Sequence, residues 1–203
     1  MILPDPVMAV SAPRSTGHRL RFGFLGMLTP NKGVERLLET WTSSRPPGAV
    51  LSIAGTGQDD YVASLKALAP EGVEFTGWVS SESFLDSIDF LIVPSVWNEP
   101  FGRIVVEAFA RGVPVLGSRT GGIPELIEVG RTGDLFDSTE TSIRDVIHRA
   151  AQLDSDAYRR MSLDCIAAAG RYLPQRLSEE YVAYFDAVIR HHRMSKGALA
   201  PTD

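Results

Sequence analysis

Two glutamates, Glu99 and Glu107, lie close together in the segment SVWNEPFGRIVVEAFARGVPVLGS (95–118), with the turn sequence Pro-Phe-Gly-Arg between them. The apolar spacing after this turn, and the glycine and proline that follow, predict a helix within residues 101–112. Gly102 permits close backbone approach, and the free amides at a helix N-terminus attract anions. Two carboxylates beside such a terminus do not form a hydrophobic-core pattern. The segment therefore predicts that a polar ligand is held here.

Arg103, in the first turn of this helix, is electrostatically unfavourable by itself. Its charge opposes the helix dipole, and an arginine four residues before Glu107 is in the weaker order for an ion pair. A bound anion would make the arrangement favourable. The alternative is that Arg103 and Glu107 form an ordinary solvated pair and that Glu99 is an exposed loop acid. These residues by themselves leave both interpretations open.

The elements that would position these residues alternate along the chain. Short apolar runs are followed by segments in which apolar residues recur three and four positions apart, as in strands followed by helices. This alternation predicts an α/β fold: a single Rossmann-like domain with a parallel sheet of about six strands and helices on both faces. The predicted strands are residues 21–25, 50–55, 73–77, 89–95, 113–118 and 133–136.

Four loops that each follow a predicted strand and precede a helix carry the unusual residues. In a parallel sheet such loops open on the rim at the carboxyl ends of the strands, where these sheets bind ligands. They therefore predict one ligand site on one rim. The loops are GMLTPNKG (26–33), GTGQ (55–58), SVWNEPFG (95–102) and SRTGGIPE (118–125).

The composition of the whole chain limits the possible classes of function. The 203 residues, 44% of them hydrophobic, suffice for one good core, so we expect one globular domain. The formal net charge of -5 argues against nucleic-acid binding, because phosphate polymers are bound by clustered lysine and arginine. The single cysteine, Cys165, excludes an internal disulfide. Together with the lack of an apolar membrane span or an export signal, it favours a cytoplasmic location.

The chain divides into four segments by composition. Residues 1–20 contain three prolines together with serine, threonine and glycine and are expected to form a linker. Residues 21–175 form the predicted domain, residues 176–193 an amphipathic helix, and residues 194–203 a flexible tail. The apolar stripe of the helix either packs on the chain's own domain or needs a partner surface, and the sequence leaves both open.

Seven segments occur in the order that is typical of one enzyme family. EPFGRIVVE has that family's two glutamates separated by seven residues, and the other six segments are GMLTPNKG, IAGTGQ, FTGWVS, DFLIVPS, GVPVLGSRTGGIPELI and GRTGDLF. On these motifs, residues 21–184 resemble the C-terminal, donor-binding half of the retaining glycosyltransferases of family 4 (group 1), which have the GT-B architecture. The resemblance implies a nucleoside-diphosphate-sugar donor such as a UDP- or GDP-sugar. It also implies transfer of a hexosyl group without a metal or another cofactor.

The resemblance further implies a role for each residue of the rim. Glu99 would accept hydrogen bonds from the donor sugar, and Glu107 would accept them from both ribose hydroxyls. Lys32, Arg103 and the backbone amides around Phe101, Gly102 and Arg103 would place positive charge against the diphosphate. Val79 would lie beside the nucleobase. The implied catalytic residues are Glu99, Lys32 and Arg103. The implied donor-binding residues are Gly26, Met27, Lys32, Val79, Glu99, Pro100, Phe101, Gly102, Arg103 and Glu107.

Met27 departs from the family pattern. The family usually carries an arginine directly after the glycine of the first loop, as a second cation on the diphosphate. Charge-assisted contacts to phosphate are roughly twice as strong as neutral ones, so a methionine here should weaken donor binding and leaving-group stabilisation. Either Arg103 substitutes for the missing arginine or the activity is reduced or lost.

No metal site is predicted. The sequence Asp-Ser-Asp at residues 154–156 has the form of a metal-binding motif, but it precedes a helical run and is predicted to cap that helix. His191 and His192 are adjacent, which is not a metal-ligand spacing. A Gly-x-Gly-x-x-Gly pattern for a dinucleotide cofactor is also missing after the first predicted strand.

Three functions remain open at this point. The first is the donor-binding half of a glycosyltransferase whose acceptor half is missing from this chain. The second is a non-catalytic nucleotide-sugar-binding or regulatory subunit, which Met27 favours, and the third is an epimerase of GT-B architecture. The expected partners are the nucleotide-sugar, an unknown acceptor, and an N-terminal acceptor domain, a partner subunit or a second copy of the chain.

Overall fold

A six-stranded parallel sheet forms the centre of the molecule, in the order β3-β2-β1-β4-β5-β6. The computed structural model describes residues 20–137 and 139–197. The predicted fold class is confirmed. The strands are β1 (Arg21–Leu25), β2 (Val50–Ala54), β3 (Val73–Gly77), β4 (Phe90–Val93), β5 (Val115–Ser118) and β6 (Gly133–Phe136).

Three of the predicted strands are shorter than expected; β2 ends one residue early, at Ala54, and the other two differ more. The runs 89–95 and 113–118 contain the strands β4 and β5, which cover only residues 90–93 and 115–118. The strand ends coincide with Pro94 and Pro114, which have no N–H to donate to a neighbouring strand. The apolar runs thus located both strands, and the prolines set their limits.

Helices cover both faces of the sheet. One core cluster packs α1, α2 and α6 against it, and a second packs α3, α4, α5 and most of the buried side of α7. The helices are α1 (Val34–Ser44), α2 (Asp59–Leu68), α3 (Ser81–Ser87), α4 (Arg103–Ala110), α5 (Ile123–Leu126), α6 (Glu140–Ala151), α7 (Ser155–Ala169) and α8 (Pro174–Gly197).

The strand order reverses between β1 and β4. From β1 the chain moves outward to β2 and β3, then returns to β4 on the other side of β1 and continues to β5 and β6. At such a reversal the loops after the two neighbouring strands diverge to opposite faces and leave a crevice at their carboxyl ends. The crevice therefore lies between the loop after β1 and the loop after β4.

The C-terminal helix is longer than the sequence predicted. Instead of residues 176–193, α8 spans Pro174–Gly197, so the first residues of the expected tail are helical. Proline fits the first turn of a helix, and no glycine or proline interrupts the chain again before Gly197. The remaining tail and residues 1–19 of the expected linker lie outside the described residues.

Most of α8 does not pack on the rest of the chain. Leu177 is buried, but an apolar stripe further along the helix is exposed, with Phe185 53% accessible and Val182 62%. The helix therefore does not use this stripe to cover its own domain. No helix in the described part of the chain combines the length and apolar composition needed to cross a membrane.

Candidate functional site

The four loops predicted to share one rim are joined by backbone hydrogen bonds. Leu28 N donates to Thr56 O at 2.8 Å, which joins the loops after β1 and β2. Val96 N donates to the carbonyl of Asn31 at 3.0 Å, which joins the loops after β1 and β4. The loop after β5 is connected in turn to the loop after β4, because Gly122 N donates to Glu99 O at 2.7 Å.

Close packing between these loops depends on glycine. Gly33, between the first loop and α1, has φ 71°, and a Cβ there would overlap the carbonyl oxygen of Pro94. Gly121 has φ 58°, and its Cβ would overlap the backbone of Glu99. Other residues rarely adopt this left-handed conformation. The two glycines therefore fix where Lys32 and Glu99 lie.

A cavity of about 190 Å³ opens in the crevice between β1 and β4. Its lining includes Gly26 and Lys32 from the loop after β1, Glu99 from the loop after β4, and Gly102 and Arg103 from the start of α4. Five of the predicted site residues, far apart in sequence, thus meet in one place.

Glu99 is not an exposed loop acid. Its side chain is 18% accessible and forms an ion pair with Lys32, whose side chain is 27% accessible. Ser95 Oγ also donates a hydrogen bond to Glu99 Oε1, at 3.3 Å. Since one contact comes from the loop after β1 and the other from the loop after β4, the carboxylate is held within the cavity wall.

Arg103 and Glu107 form an i,i+4 ion pair on α4, with 2.7 Å between Arg103 Nε and Glu107 Oε1. The arginine is 67% accessible, so the pair contributes only about 0.3–0.5 kcal/mol. This part of the solvated-pair interpretation agrees with the structure. Because Arg103 is exposed and its pair with Glu107 is weak, the guanidinium can still turn towards a bound anion.

The N-terminus of α4 faces the same cavity. Gly102 is the N-cap residue, with φ 79°, and Gly102, Arg103 and Ile104 all line the cavity. Among the described residues, the amides of Arg103 and Ile104 have no backbone acceptor. These N–H groups are available to an anion, which the helix dipole also favours.

A second cavity, of about 340 Å³, adjoins the first. Val79 and Glu107 line it, and it shares Gly26 and Arg103 with the first cavity. The residues predicted for the nucleobase and ribose thus lie on one side of Arg103, and those predicted for the sugar lie on the other.

Three predicted residues do not line either cavity with their side chains. Met27 is 65% accessible and is not among the lining residues of either cavity, and Pro100 is exposed. The Phe101 ring packs on Tyr172, with 5.6 Å between the ring centres. The role implied for Phe101 was a backbone contact, and its side chain anchors the start of α4 instead.

Sequence reasoning missed Ser95. It is 2% accessible, lines the first cavity and contacts the carboxylate of Glu99. The signal available was its place at the start of the loop after a buried strand, four residues before a candidate acid. A serine alone in such a loop is too common to be singled out.

The Asp-Ser-Asp sequence is a helix cap, as predicted. Asp154 precedes α7, and its Oδ1 accepts a hydrogen bond from Ala157 N at 2.7 Å. Within residues 20–137 and 139–197, no group of three or more His, Cys, Asp or Glu side chains is placed to hold a metal ion.

Comparison with known proteins finds one family. Residues 19–153 match the family model for glycosyl transferases group 1. A GDP-mannose-dependent alpha-(1-6)-phosphatidylinositol monomannoside mannosyltransferase from Mycobacterium tuberculosis is 30% identical over 186 residues, which are 83% of this chain and 46% of the relative. The chain thus spans less than half the length of this relative.

Solved structures share the fold. Anabaena Alr3699/HepE in complex with UDP-glucose superposes with a TM-score of 0.75 at 24% identity, over 84% of this chain and 49% of that chain. The C-terminal domain of LpcC, a glycosyl transferase group 1 family protein from Francisella tularensis, gives 0.65 at 18% identity, over 76% of this chain and 87% of that one. At these identities the likeness shows the fold alone.

The match to the family model covers more than half of the chain, the mannosyltransferase aligns with most of it, and the sheet matches GT-B glycosyltransferases. The chain therefore belongs to the glycosyl transferases group 1 family.

Proposed function

We propose that this chain is the donor-binding half of a retaining glycosyltransferase that transfers a hexosyl group from a nucleoside-diphosphate sugar without a metal ion. One observation carries the proposal: Lys32, Glu99, Arg103 and Glu107 line two adjoining cavities at the N-terminus of α4. This arrangement offers carboxylates for hydroxyl groups at both ends and cations with helix amides between them. A nucleotide-sugar has the same order of groups.

The nucleoside belongs in the larger cavity. Glu107 accepts hydrogen bonds from the ribose hydroxyls there, and the base lies beside Val79. The diphosphate crosses Gly26, where the lack of a side chain permits close approach, and lies against the amides of Arg103 and Ile104. The sugar then reaches Glu99.

Binding the diphosphate requires the ion pairs to rearrange. Lys32 and Arg103 each pair with a glutamate, so these four side chains together carry no net charge. Phosphate oxygens accept strong charge-assisted hydrogen bonds, so both cations turn towards the diphosphate. The two carboxylates are then left for the hydroxyl groups of the ribose and the sugar.

In the proposed reaction the acceptor attacks the face of the sugar that the diphosphate leaves, and a donor phosphate oxygen takes the acceptor proton. Lys32, Arg103 and the helix amides stabilise the charge that develops on the leaving diphosphate. Glu99 positions the sugar and does not act as a nucleophile. The names of the relatives support either base, since one uses GDP-mannose and another binds UDP-glucose.

The acceptor half is proposed to be a separate domain or subunit. The chain spans 46% of the mannosyltransferase and 49% of the UDP-glucose-binding protein, which is room for one further domain of similar size. The exposed stripe of α8 is the surface proposed to contact it. We place the reaction in the cytoplasm, where nucleotide-sugars are substrates.

A second candidate function is a non-catalytic nucleotide-sugar-binding subunit. Met27 favours it, because a neutral and exposed side chain stands beside Gly26 at the point where a second cation would face the diphosphate. Such a subunit would bind the donor but leave the transfer to a partner.

Isothermal titration calorimetry with UDP, GDP and ADP in the presence of EDTA tests the proposal. We expect at least one nucleotide to bind without a metal, because the positive charge comes from side chains and helix amides. Binding that requires added magnesium or manganese would contradict metal independence. Binding of none of the three would contradict the donor-binding function itself.

Two alanine variants separate the ends of the site. Glu107→Ala should weaken every nucleotide by roughly tenfold or more, because a carboxylate that accepts two ribose hydroxyls is lost. Glu99→Ala should weaken only the sugar-bearing ligand, and it leaves Lys32 free for the diphosphate. Glu39→Ala, an exposed acid on α1, is the matched control. Equal weakening of UDP and UDP-glucose by Glu99→Ala would contradict this division.

A further inference from the structure

Two serines are buried beneath the rim, directly behind Glu99. Ser95 and Ser118 are each 2% accessible. Ser118 closes β5, and Ser95 begins the loop after β4. A buried hydroxyl loses its hydrogen bonds to water and must recover them within the protein. The acceptors of these two hydroxyls therefore indicate the role of each serine.

Ser95 is held through its backbone and contacts the carboxylate through its side chain. Ser118 Oγ donates to the carbonyl oxygen of Ser95 at 2.7 Å, and Ser95 Oγ donates to Glu99 Oε1 at 3.3 Å. Lys32 Nζ donates to the same oxygen, Oε1. Within the described part of the chain, Glu99 Oε2 has no hydrogen-bond partner. One oxygen of the carboxylate is held, and the other is available to the cavity.

The backbone of Glu99 is fixed independently of its side chain. Gly122 N donates to Glu99 O at 2.7 Å, and Gly121 packs against the Glu99 backbone. Rotation of the side chain is then the remaining freedom of the carboxylate. Among the described residues, the hydrogen bonds that restrict this rotation are those to Oε1.

We propose that Ser95 is a positioning residue that holds Glu99 Oε1, so that Oε2 accepts a hydrogen bond from a hydroxyl group of the donor sugar. The inference rests on the proposed function and deepens it. Lys32 is a long side chain that turns to the diphosphate when the donor binds, and its hold on Oε1 then weakens. Ser95 stays in place, because its hydroxyl is buried and its carbonyl is fixed by Ser118.

The contact between Ser95 and Glu99 Oε1 should affect one class of ligand more than another. A carboxylate held by one oxygen presents the other in a defined direction, and an ionised carboxylate can only accept. Ser95 therefore contributes to the affinity for the sugar and not to that for the nucleoside diphosphate. A residue with only a structural role would not change one affinity relative to the other.

Calorimetry on the full chain with UDP and UDP-glucose, or with GDP and GDP-mannose, provides the test. The pair used is the one whose nucleoside diphosphate the unmodified chain binds. We expect Ser95→Ala to weaken the nucleotide-sugar roughly tenfold, the loss for one hydrogen bond to a charged group, and to leave the nucleoside diphosphate within about twofold. Ser95→Cys, with a weaker donor of similar size, should fall between the two.

The control is Ser87→Ala. Ser87 Oγ donates to the carbonyl of Phe84 at 2.7 Å, so this variant also removes a hydroxyl bonded to the protein, but on α3 and outside both cavities. It should change neither affinity. If Ser95→Ala does not fold, as urea unfolding would show, Ser95→Cys carries the test, with an expected loss of about threefold.

The outcomes separate this inference from the proposed function. If the unmodified chain binds neither the nucleoside diphosphates nor the nucleotide-sugars, both are overturned. If it binds them and Ser95→Ala changes neither affinity, or weakens both ligands equally, only the positioning role of Ser95 is overturned. Selective loss of nucleotide-sugar affinity supports it.

Discussion

Glu99 and Glu107 are both acids beside the start of α4, yet their surroundings differ. The ion pair between Glu99 and Lys32 is partly buried, whereas Arg103 in the pair with Glu107 is mostly in water. Solvent screens the exposed pair more strongly, so it holds its partners less tightly. In the proposed binding mode, Arg103 therefore turns to the diphosphate first, and Lys32 follows when the sugar hydroxyls begin to bind Glu99.

The Met27→Arg variant tests whether the rim lacks a cation. Met27 is exposed and follows Gly26, which lines both cavities, so we expect an arginine there to reach the proposed position of the diphosphate. We expect the affinity for UDP or GDP to increase by about 1–2 kcal/mol, the contribution of hydrogen bonds between charged groups. Calorimetry measures the affinity of the variant for UDP or GDP, and Met27→Gln is the uncharged control. An unchanged affinity for Met27→Arg would contradict the prediction and indicate that Arg103 already fills the role.

Cys165 on α7 is predicted to be chemically inert in the folded protein. Burial raises the pKa of the thiol well above its usual range, the nearby charge of Asp164 acts in the same direction, and Sγ donates to Thr132 O at 3.4 Å. Reaction requires the thiolate and access to it. We expect no labelling by a disulfide reagent at pH 8 until urea unfolds the chain. Rapid labelling of the folded protein would contradict this.

The same raised pKa predicts how stability depends on pH. The folded state keeps the Cys165 thiol neutral, whereas the unfolded chain ionises it near its ordinary value. The stabilisation is thus complete below that value and declines as the pH rises above it, by about 1.4 kcal/mol per pH unit. Urea unfolding of the unmodified chain and of Cys165→Ala between pH 8 and pH 10 measures the difference. Parallel pH profiles for the two would contradict the assignment to this thiol.

At the scale of elements, the meeting of two loops depends on Gly33. It has φ 71°, and a side chain there would overlap the carbonyl oxygen of Pro94. Gly48 is a matched control, because it has φ 75° but a Cβ there would have no atom within 4 Å. We expect Gly48→Ala to cost about 1 kcal/mol of unfolding free energy and Gly33→Ala at least about 3 kcal/mol. Urea unfolding compares them, and equal losses would show that the loops can separate freely.

The sequence predicts the strands and helices better than it predicts the residues at which they begin and end. All six strands were located, because apolar runs between helical segments are a strong local signal. The predicted runs extend across Pro94 and Pro114, although β4 ends just before Pro94 and β5 begins just after Pro114. The predicted helix stops at residue 193, although nothing in residues 194–196 ends α8. These errors are local, and each involves a signal at an element's end.

The sequence predicts which residues form the site better than it predicts the contacts between them. The residues were named from the loop positions and from a family resemblance, but the pairing of Lys32 with Glu99 joins positions 67 residues apart. It depends on how two loops pack across the crevice. The contact between Ser95 and Glu99 spans only four residues, but it depends on the conformation of the loop after β4, which the sequence pattern does not specify.

At the scale of the whole molecule, two observations favour a partner surface for α8. The chain spans less than half of the mannosyltransferase to which it is similar, and the apolar stripe on α8 has no surface of its own domain to cover. An uncovered stripe of this kind favours association in water, because burial of apolar area is favourable. We therefore expect the isolated chain to self-associate when no acceptor half is present.

Sedimentation velocity across a concentration series tests this at the stripe itself. We expect the unmodified chain to associate as its concentration rises, and a variant with Val182→Gln, Phe185→Gln and Ile189→Gln to stay monomeric over the same range. These side chains are exposed, so their replacement should leave the stability of the domain nearly unchanged. A control with Glu179→Gln and Asp186→Gln alters exposed positions elsewhere on α8 and should associate at least as readily as the unmodified chain, because negative charge is lost. If the unmodified chain remains monomeric at every concentration, the stripe on α8 is not an association surface, and the proposal that it contacts an acceptor half loses its physical basis.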